Sequence, residues 1–161
     1  MKKLIIIISL AAAAAILFGC ARDKYSKIVS CDEILDACEA QTSNTSEYES
    51  FGSEYINAYF DASLFEDCDI RYSLPGDDVN EIGVFRAGNK NDAKKLYDLV
   101  QQYLDELKED KRAFVESYAP LEAKKLDNAK VKRFGNYVAY AILSDAEQEN
   151  FFEAVKNRVG S

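Results

Sequence analysis

The sequence predicts an α+β domain: a four-stranded, mainly antiparallel sheet made of two hairpins, with helices packed on one face. Three observations carry that prediction. Gly135-Asn136 stands alone between two strand-like runs, a strong two-residue hairpin signal. Asp92 to Phe114 repeats apolar residues at alternating steps of three and four, as an amphipathic helix does. The segments also follow in the order helix, helix, strand, strand, helix, helix, strand, strand, helix, without the strict βα alternation that a parallel sheet needs.

Before that domain comes MKKLIIIISLAAAAAILFGC. Lys2 and Lys3 give a positive start, Leu4 to Phe18 form an apolar run broken only by Ser9, and Gly19 precedes Cys20. This is the layout of a secretory signal. The run is short for a transmembrane helix, because a bilayer core of ~30 Å takes about 20 apolar residues. Leu17-Phe18-Gly19-Cys20 resembles a bacterial lipobox, although Phe18 is bulkier than the residue usual there. The resemblance implies cleavage between Gly19 and Cys20 and acyl chains of the palmitate kind on the Cys20 sulfur. Residues 1–19 are therefore expected to be a lipoprotein signal peptide, 20–27 a lipidated cysteine and tether, and 28–161 a single α+β domain. An uncleaved anchor, an ordinarily secreted chain and a buried apolar helix of a cytosolic fold are the alternatives. The tether, ARDKYSK, spans at most ~25 Å, which keeps the domain near the bilayer.

Ser30-Cys31-Asp32-Glu33 reads as a capping box opening a helix from about Cys31 to Ala40 that buries Ile34, Leu35 and Cys38. Gln41 to Ser50 is polar and reads as a loop. SEYINAYFDASLF, from Ser53, reads as a second helix offering Tyr55, Ile56, Tyr59, Phe60 and Leu64 to a core. Asp69 to Leu74 alternates as a strand, Pro75-Gly76-Asp77-Asp78 turns, and Glu81 to Ala87 returns as its hairpin partner. An Asn starts the long helix, whose stripe comprises Ala93, Leu96, Val100, Tyr103, Leu107 and Phe114, widened by Leu99 and Leu104. Ser117-Tyr118-Ala119 ends it, and Pro120 suits the first position of a short helix to about Ala129. Lys130 to Phe134 and Tyr137 to Leu143 are the second hairpin. The latter is almost wholly apolar and is expected to be central. Asp145 caps a last helix to about Val159, with Phe151, Phe152 and Val155 facing inward.

Twenty Lys and Arg against 28 Asp and Glu give a net charge of −8, made more negative by loss of Lys2 and Lys3 with the signal. Such a surface repels nucleic acid and anionic lipid headgroups, so no nucleic-acid partner is expected and the acyl chains alone must hold the protein at the membrane. There is no His. That excludes Ser-His-Asp, Cys-His and HExxH chemistry, leaving carboxylate, Lys and Tyr. No phosphate loop, dinucleotide fingerprint or CxxC is present, and no cofactor is expected. Cys31, Cys38 and Cys68 remain once Cys20 carries lipid. On one helix Cys31 and Cys38 lie ~10.5 Å apart along the axis, too far for a bridge, so either could pair only with Cys68, or all three could be buried thiols.

Among candidate sites, Asp67, Asp69, Asp77, Asp78 and Glu81 could gather oxygens around a cation such as Ca²⁺ if the strand ends meet, with Asp77, Asp78 and Glu81 nearest the turn. They lack EF-hand spacing. Ten Tyr and nine Phe without Trp allow a stacking surface for carbohydrate or peptide, led by Tyr25, Tyr48 and Tyr97.

Glu81-Ile-Gly-Val-Phe-Arg-Ala87, the long charged helix, Tyr118-Ala-Pro120 and Gly135-Asn-Tyr-Val138 together resemble a family of small lipoproteins from Gram-positive bacteria built on a domain of unknown function, with a DEI-like strand, a Tyr-x-Pro break and a GNYV-like hairpin. The resemblance runs over about Val79 to Val159 and brings no catalytic or binding residues. The function expected is a membrane-anchored extracytoplasmic lipoprotein at the outer face of the cell membrane, a binding or scaffolding module with an envelope protein partner and not an enzyme. The alternative is a carboxylate-dependent enzyme acting on cell-wall or surface substrates through Asp77 or Glu81.

Overall fold

The computed structural model describes residues 24–40, 47–74 and 78–161. The signal, Gly19, Cys20 and the turn residues Pro75 to Asp77 lie outside them. The described elements are α1 (Cys31–Glu39), β1 (Glu47–Ser50), α2 (Ser53–Tyr59), a 3₁₀ turn (Ala62–Leu64), β2 (Asp67–Leu74), β3 (Glu81–Arg86), α3 (Lys90–Tyr118), α4 (Ala123–Asp127), β4 (Lys130–Phe134), β5 (Tyr137–Ile142) and α5 (Asp145–Val159). No described helix is long and apolar enough to cross a membrane.

The five strands form one open sheet in the order β1-β2-β3-β5-β4, every neighbouring pair antiparallel. Both predicted hairpins are there. Gly135 takes φ 64° in the β4–β5 turn, the positive φ that a two-residue connection requires. The fifth strand corrects the expected four: Glu47 to Ser50, read as loop, pairs with Ser73 and its neighbours at the sheet edge. An edge strand needs no apolar run, and Glu-Tyr-Glu-Ser keeps charge on the open side.

The helices do not share one face, which corrects the expected layering. Along β3, Ile82 and Val84 join a core with α1 and α5, while Phe85 joins a second core with α2, α3 and α4. Along β5, Tyr137, Ala139 and Ala141 go to the first core, and Val138, Tyr140 and Ile142 to the second. A sheet covered on both faces buries every residue of its central strands, and β5 is buried throughout. The near-continuous apolar run is the signature of this double cover.

Local chemistry departs from expectation at five places. Ser30 forms no side-chain cap; instead the Cys31 amide donates to Asp67 Oδ2 at 2.9 Å, so a strand residue caps α1. The second helix stops at Tyr59, because Phe60 is extended and Asp61 caps the separate 3₁₀ turn through the Ser63 amide. Pro120 lies in the turn before α4 and not at its first residue. The cap of α5 is Ser144, in a capping box with Glu147, one residue before Asp145. Asn89 caps α3 through the amides of Asn91 and Asp92. The stripe of α3 buries Val115 in place of Phe114, which is exposed.

Cys31 and Cys38 are buried under α1, whereas Cys68 packs against the opposite core. All three are free thiols, so the sheet itself separates Cys68 from both candidate partners.

Candidate functional site

On the α3 face, the end of β2, the start of β3 and the second half of α3 enclose a cavity of about 360 Å³. Its aromatic wall comes from the segment joining β1 to α2. The Phe51 ring stacks on Tyr55 at 3.9 Å and on Tyr72 of β2 at 4.5 Å. Leu107, Phe114 and Val115 of α3, Leu126 of α4 and Ile142 of β5 supply the aliphatic and aromatic remainder. Lys111 of α3, exposed and without an ion-pair partner among the described residues, stands at its mouth.

Glu81 lies at the base of this space with 8 % of its surface exposed. It opens β3, in phase with Gly83 and Phe85, so strand alternation turns it toward α3. Tyr103 of α3 and Tyr140 of β5 both donate to its Oε1, at 2.7 and 2.6 Å. The Tyr55 and Tyr103 hydroxyls lie 3.2 Å apart, extending the chain to the cavity wall. No described residue donates to Oε2. Burial raises the Glu81 carboxyl above the ordinary carboxylate range; the two phenol bonds and the more distant charge of Lys111 only partly oppose this. The same burial, with Glu81 beside them, pushes the Tyr103 and Tyr140 hydroxyls far up, so both remain neutral donors.

Gly83 makes the arrangement possible. It pairs with Tyr140 across β3 and β5, and a Cβ there would lie far inside van der Waals contact of the nearest carbon of the Tyr140 ring. The ring therefore lies flat over the glycine, and its hydroxyl reaches Glu81 two residues along the strand.

Most of the remaining polar groups of the cavity bind one another, while the buried Ser73 hydroxyl has no partner among the described residues. Asp78 accepts from the Asn80 amide at 2.9 Å and from its Nδ2 at 2.8 Å, and Lys125 donates to Asn80 Oδ1 at 3.0 Å and to Asp78 Oδ1 at 3.3 Å. Glu122 completes the knot by pairing with Lys125.

The residues proposed for a cation are thus dispersed. Asp67 caps α1, Asp69 pairs with Arg71 at 2.7 Å, Asp78 is in the Lys125 knot, Glu81 turns inward, and Asp77 lies outside the described residues. Among the described residues no three His, Cys, Asp or Glu side chains are grouped as metal ligands would be. The aromatic surface also moves. Tyr25, Tyr48 and Tyr97 are half-buried, Tyr25 edge-on against Phe134, while Phe114 and Tyr118 are exposed and in contact at 4.9 Å. Glu81 was legible as a charged residue in a strand; its role as the buried partner of two tyrosines was not. The signal lay in register: an acid in phase with Phe85 on one strand, and a lone hydroxyl at Tyr140 within an apolar run on another.

A family model for a domain of unknown function, DUF4358, matches residues 40–143. No curated protein and no solved structure matches the chain. The match begins earlier and ends earlier than the resemblance drawn from Val79 to Val159. It takes in the whole sheet and the helices α2, α3 and α4, with every residue that lines the cavity, and leaves α1 and α5 on its flanks.

Proposed function

The chain belongs to the DUF4358 family, and from that premise we propose that it is an extracytoplasmic lipoprotein of the Gram-positive kind, held at the outer face of the cell membrane by lipid on Cys20, whose domain binds a small molecule in the cavity above Glu81. The anchor rests on the sequence MKK…LFGC and the short tether. The binding role rests on one observation: a buried carboxyl whose second oxygen has no donor among the described residues, at the base of a space large enough for a ligand. A fold has no structural need for such a group, since burying it without full pairing costs stability.

Two measurements test this reading. Cys20→Ala should move the protein from the membrane fraction to the medium or the soluble fraction; an unchanged membrane fraction would make the apolar segment itself the anchor. Native mass spectrometry of the chain solubilised gently from its own membranes should show an added small mass that Ala119→Trp, at the cavity wall, removes. An identical bare mass for both proteins counts against the cavity as a binding site. The carboxylate-enzyme alternative draws on the same Glu81, a perturbed acid in a cleft. It requires turnover of a cell-wall fragment that Glu81→Gln abolishes.

A further inference from the structure

The chemistry of the cavity narrows what it receives, and the inference rests on the binding reading above. Its walls are apolar and aromatic, and its polar groups are mostly spent. Asp78, Asn80 and Lys125 satisfy one another, and the Tyr103 and Tyr140 hydroxyls are committed to a single oxygen of Glu81. What remains is Glu81 Oε2 at the base, the Lys111 ammonium at the mouth and the hydroxyl of Ser73 at the end of β2, which is buried without a hydrogen-bond partner among the described residues and, being neutral, can donate or accept.

The two phenols mark Oε1 as the acceptor end of the carboxyl. No cation lies within ion-pairing distance of Glu81 among the described residues, and a lone carboxylate in apolar surroundings takes up a proton in preference to staying charged. That proton belongs on Oε2, the oxygen without a donor. Glu81 then offers one hydrogen bond into the cavity, and no acceptor among the described residues takes it. An ammonium ligand fits poorly: it would pass the like charge of Lys111 and would need Glu81 ionised. A carboxylate would have to be stripped of water against apolar walls.

We infer that the cavity takes an uncharged, largely apolar small molecule bearing a carbonyl-type oxygen, and that this oxygen accepts a hydrogen bond from Glu81 Oε2.

The groups that face Glu81 are Tyr103 and Lys111 from α3, Tyr140 from β5 and, through Tyr103, Tyr55 from α2. The tyrosines stay neutral and Lys111 lies farther off, so a fall in binding as pH rises above the ordinary carboxylate range reports Glu81. Three probes with one apolar body and different heads separate the chemistries: 4-phenylbutanamide, 4-phenylbutanoate and 4-phenylbutylammonium. They are titrated by saturation-transfer NMR into the full chain in non-ionic detergent, with Glu81→Leu measured alongside to subtract partition into micelles.

The amide should bind the wild type best. Glu81→Gln, which keeps an acceptor toward the tyrosines and a donor toward the cavity, should retain that affinity, while Glu81→Leu should lose about tenfold or more, the loss of one hydrogen bond to a desolvated group. Wild-type affinity for the amide should fall as pH rises through the Glu81 titration, and the Gln variant should show no such fall. Circular dichroism confirms that each variant is folded, and the Gln variant keeps the test decisive if the Leu variant is not.

Preference for the ammonium, lost in Glu81→Gln, would overturn the inference and make Glu81 an ionised cation receptor. Preference for the carboxylate, lost in Lys111→Ala, would overturn it in favour of the mouth. Either result leaves the cavity as a binding site. Absence of binding by all three probes would overturn the inference, and the co-purified mass would still decide the broader reading.

Discussion

Gly83 and Glu81 sit two residues apart on β3, and each is constrained by Tyr140. Gly83→Ala would drive the Tyr140 ring off the sheet and break its bond to Glu81. The expected cost is about 2–4 kcal/mol, from overpacking and a lost buried hydrogen bond, read as a shift in the urea midpoint. A loss below about 0.5 kcal/mol would mean that the ring moves freely. Glu81 also makes stability depend on pH. A carboxyl raised in the folded state adds stability that is fully present below its unfolded value, 4.5, and is lost as pH rises through the folded one. Wild-type urea midpoints should therefore fall as pH rises above 4.5, and those of Glu81→Gln should fall less. Equal slopes would show that Glu81 does not titrate differently on folding. The thiols follow the same logic of burial. Burial holds the Cys31 thiol far up, Cys38 up to about 12 and Cys68 up to about 11. Disulfide-exchange reagent added to native protein should leave Cys31 and Cys38 unreacted and meet Cys68 slowly, while denaturation without reductant should release all three.

At the scale of elements, helix and strand identities were legible wherever one periodicity dominated, and boundaries followed the caps. The sequence pattern Ser30-Cys-Asp-Glu33 is a capping box by composition, yet α1 is capped from β2 because the tertiary fold brings Asp67 to the Cys31 amide. Asp67→Ala should cost about 1 kcal/mol, whereas Ser30→Ala should stay within about 0.5 kcal/mol, measured by denaturant titration. The reverse order would restore the local box. Arg71 fastens the same helix from the sheet side, donating to Asp36 and Glu39 of α1 as well as to Asp69. No spacing rule links residues more than 30 positions apart, so this clasp had no sequence signal. The break at Phe60 was hidden for a different reason. Apolar residues continue in helical phase through Leu64, but the core takes Phe60 from an extended backbone, with its ring against Phe85 at 4.8 Å and Tyr103 at 5.0 Å.

At the scale of the molecule, β3 and β5 contribute alternate residues to two cores, so neither core is complete without the shared strands. Unfolding should be one cooperative event. Ile34→Ala, in the α1–α5 core, and Leu96→Ala, in the α3 core, should each cost about 2–5 kcal/mol and shift tyrosine fluorescence and far-ultraviolet dichroism together. Separated transitions would show that the layers fold apart. The sequence by itself determined what depends on neighbours along the chain: the Gly135 hairpin, the long amphipathic α3, the apolar β5, the exclusion of histidine chemistry, and the expectation of a lipid on Cys20. Only the tertiary structure decided the fifth strand, the second helical face and the Glu81 cavity. Edge pairing, layer assignment and the meeting of Glu81 with Tyr103 and Tyr140 are set by long-range packing, which local periodicity does not encode. An acid at a strand start reads as a solvated charge until the fold shows that two tyrosines have replaced its water.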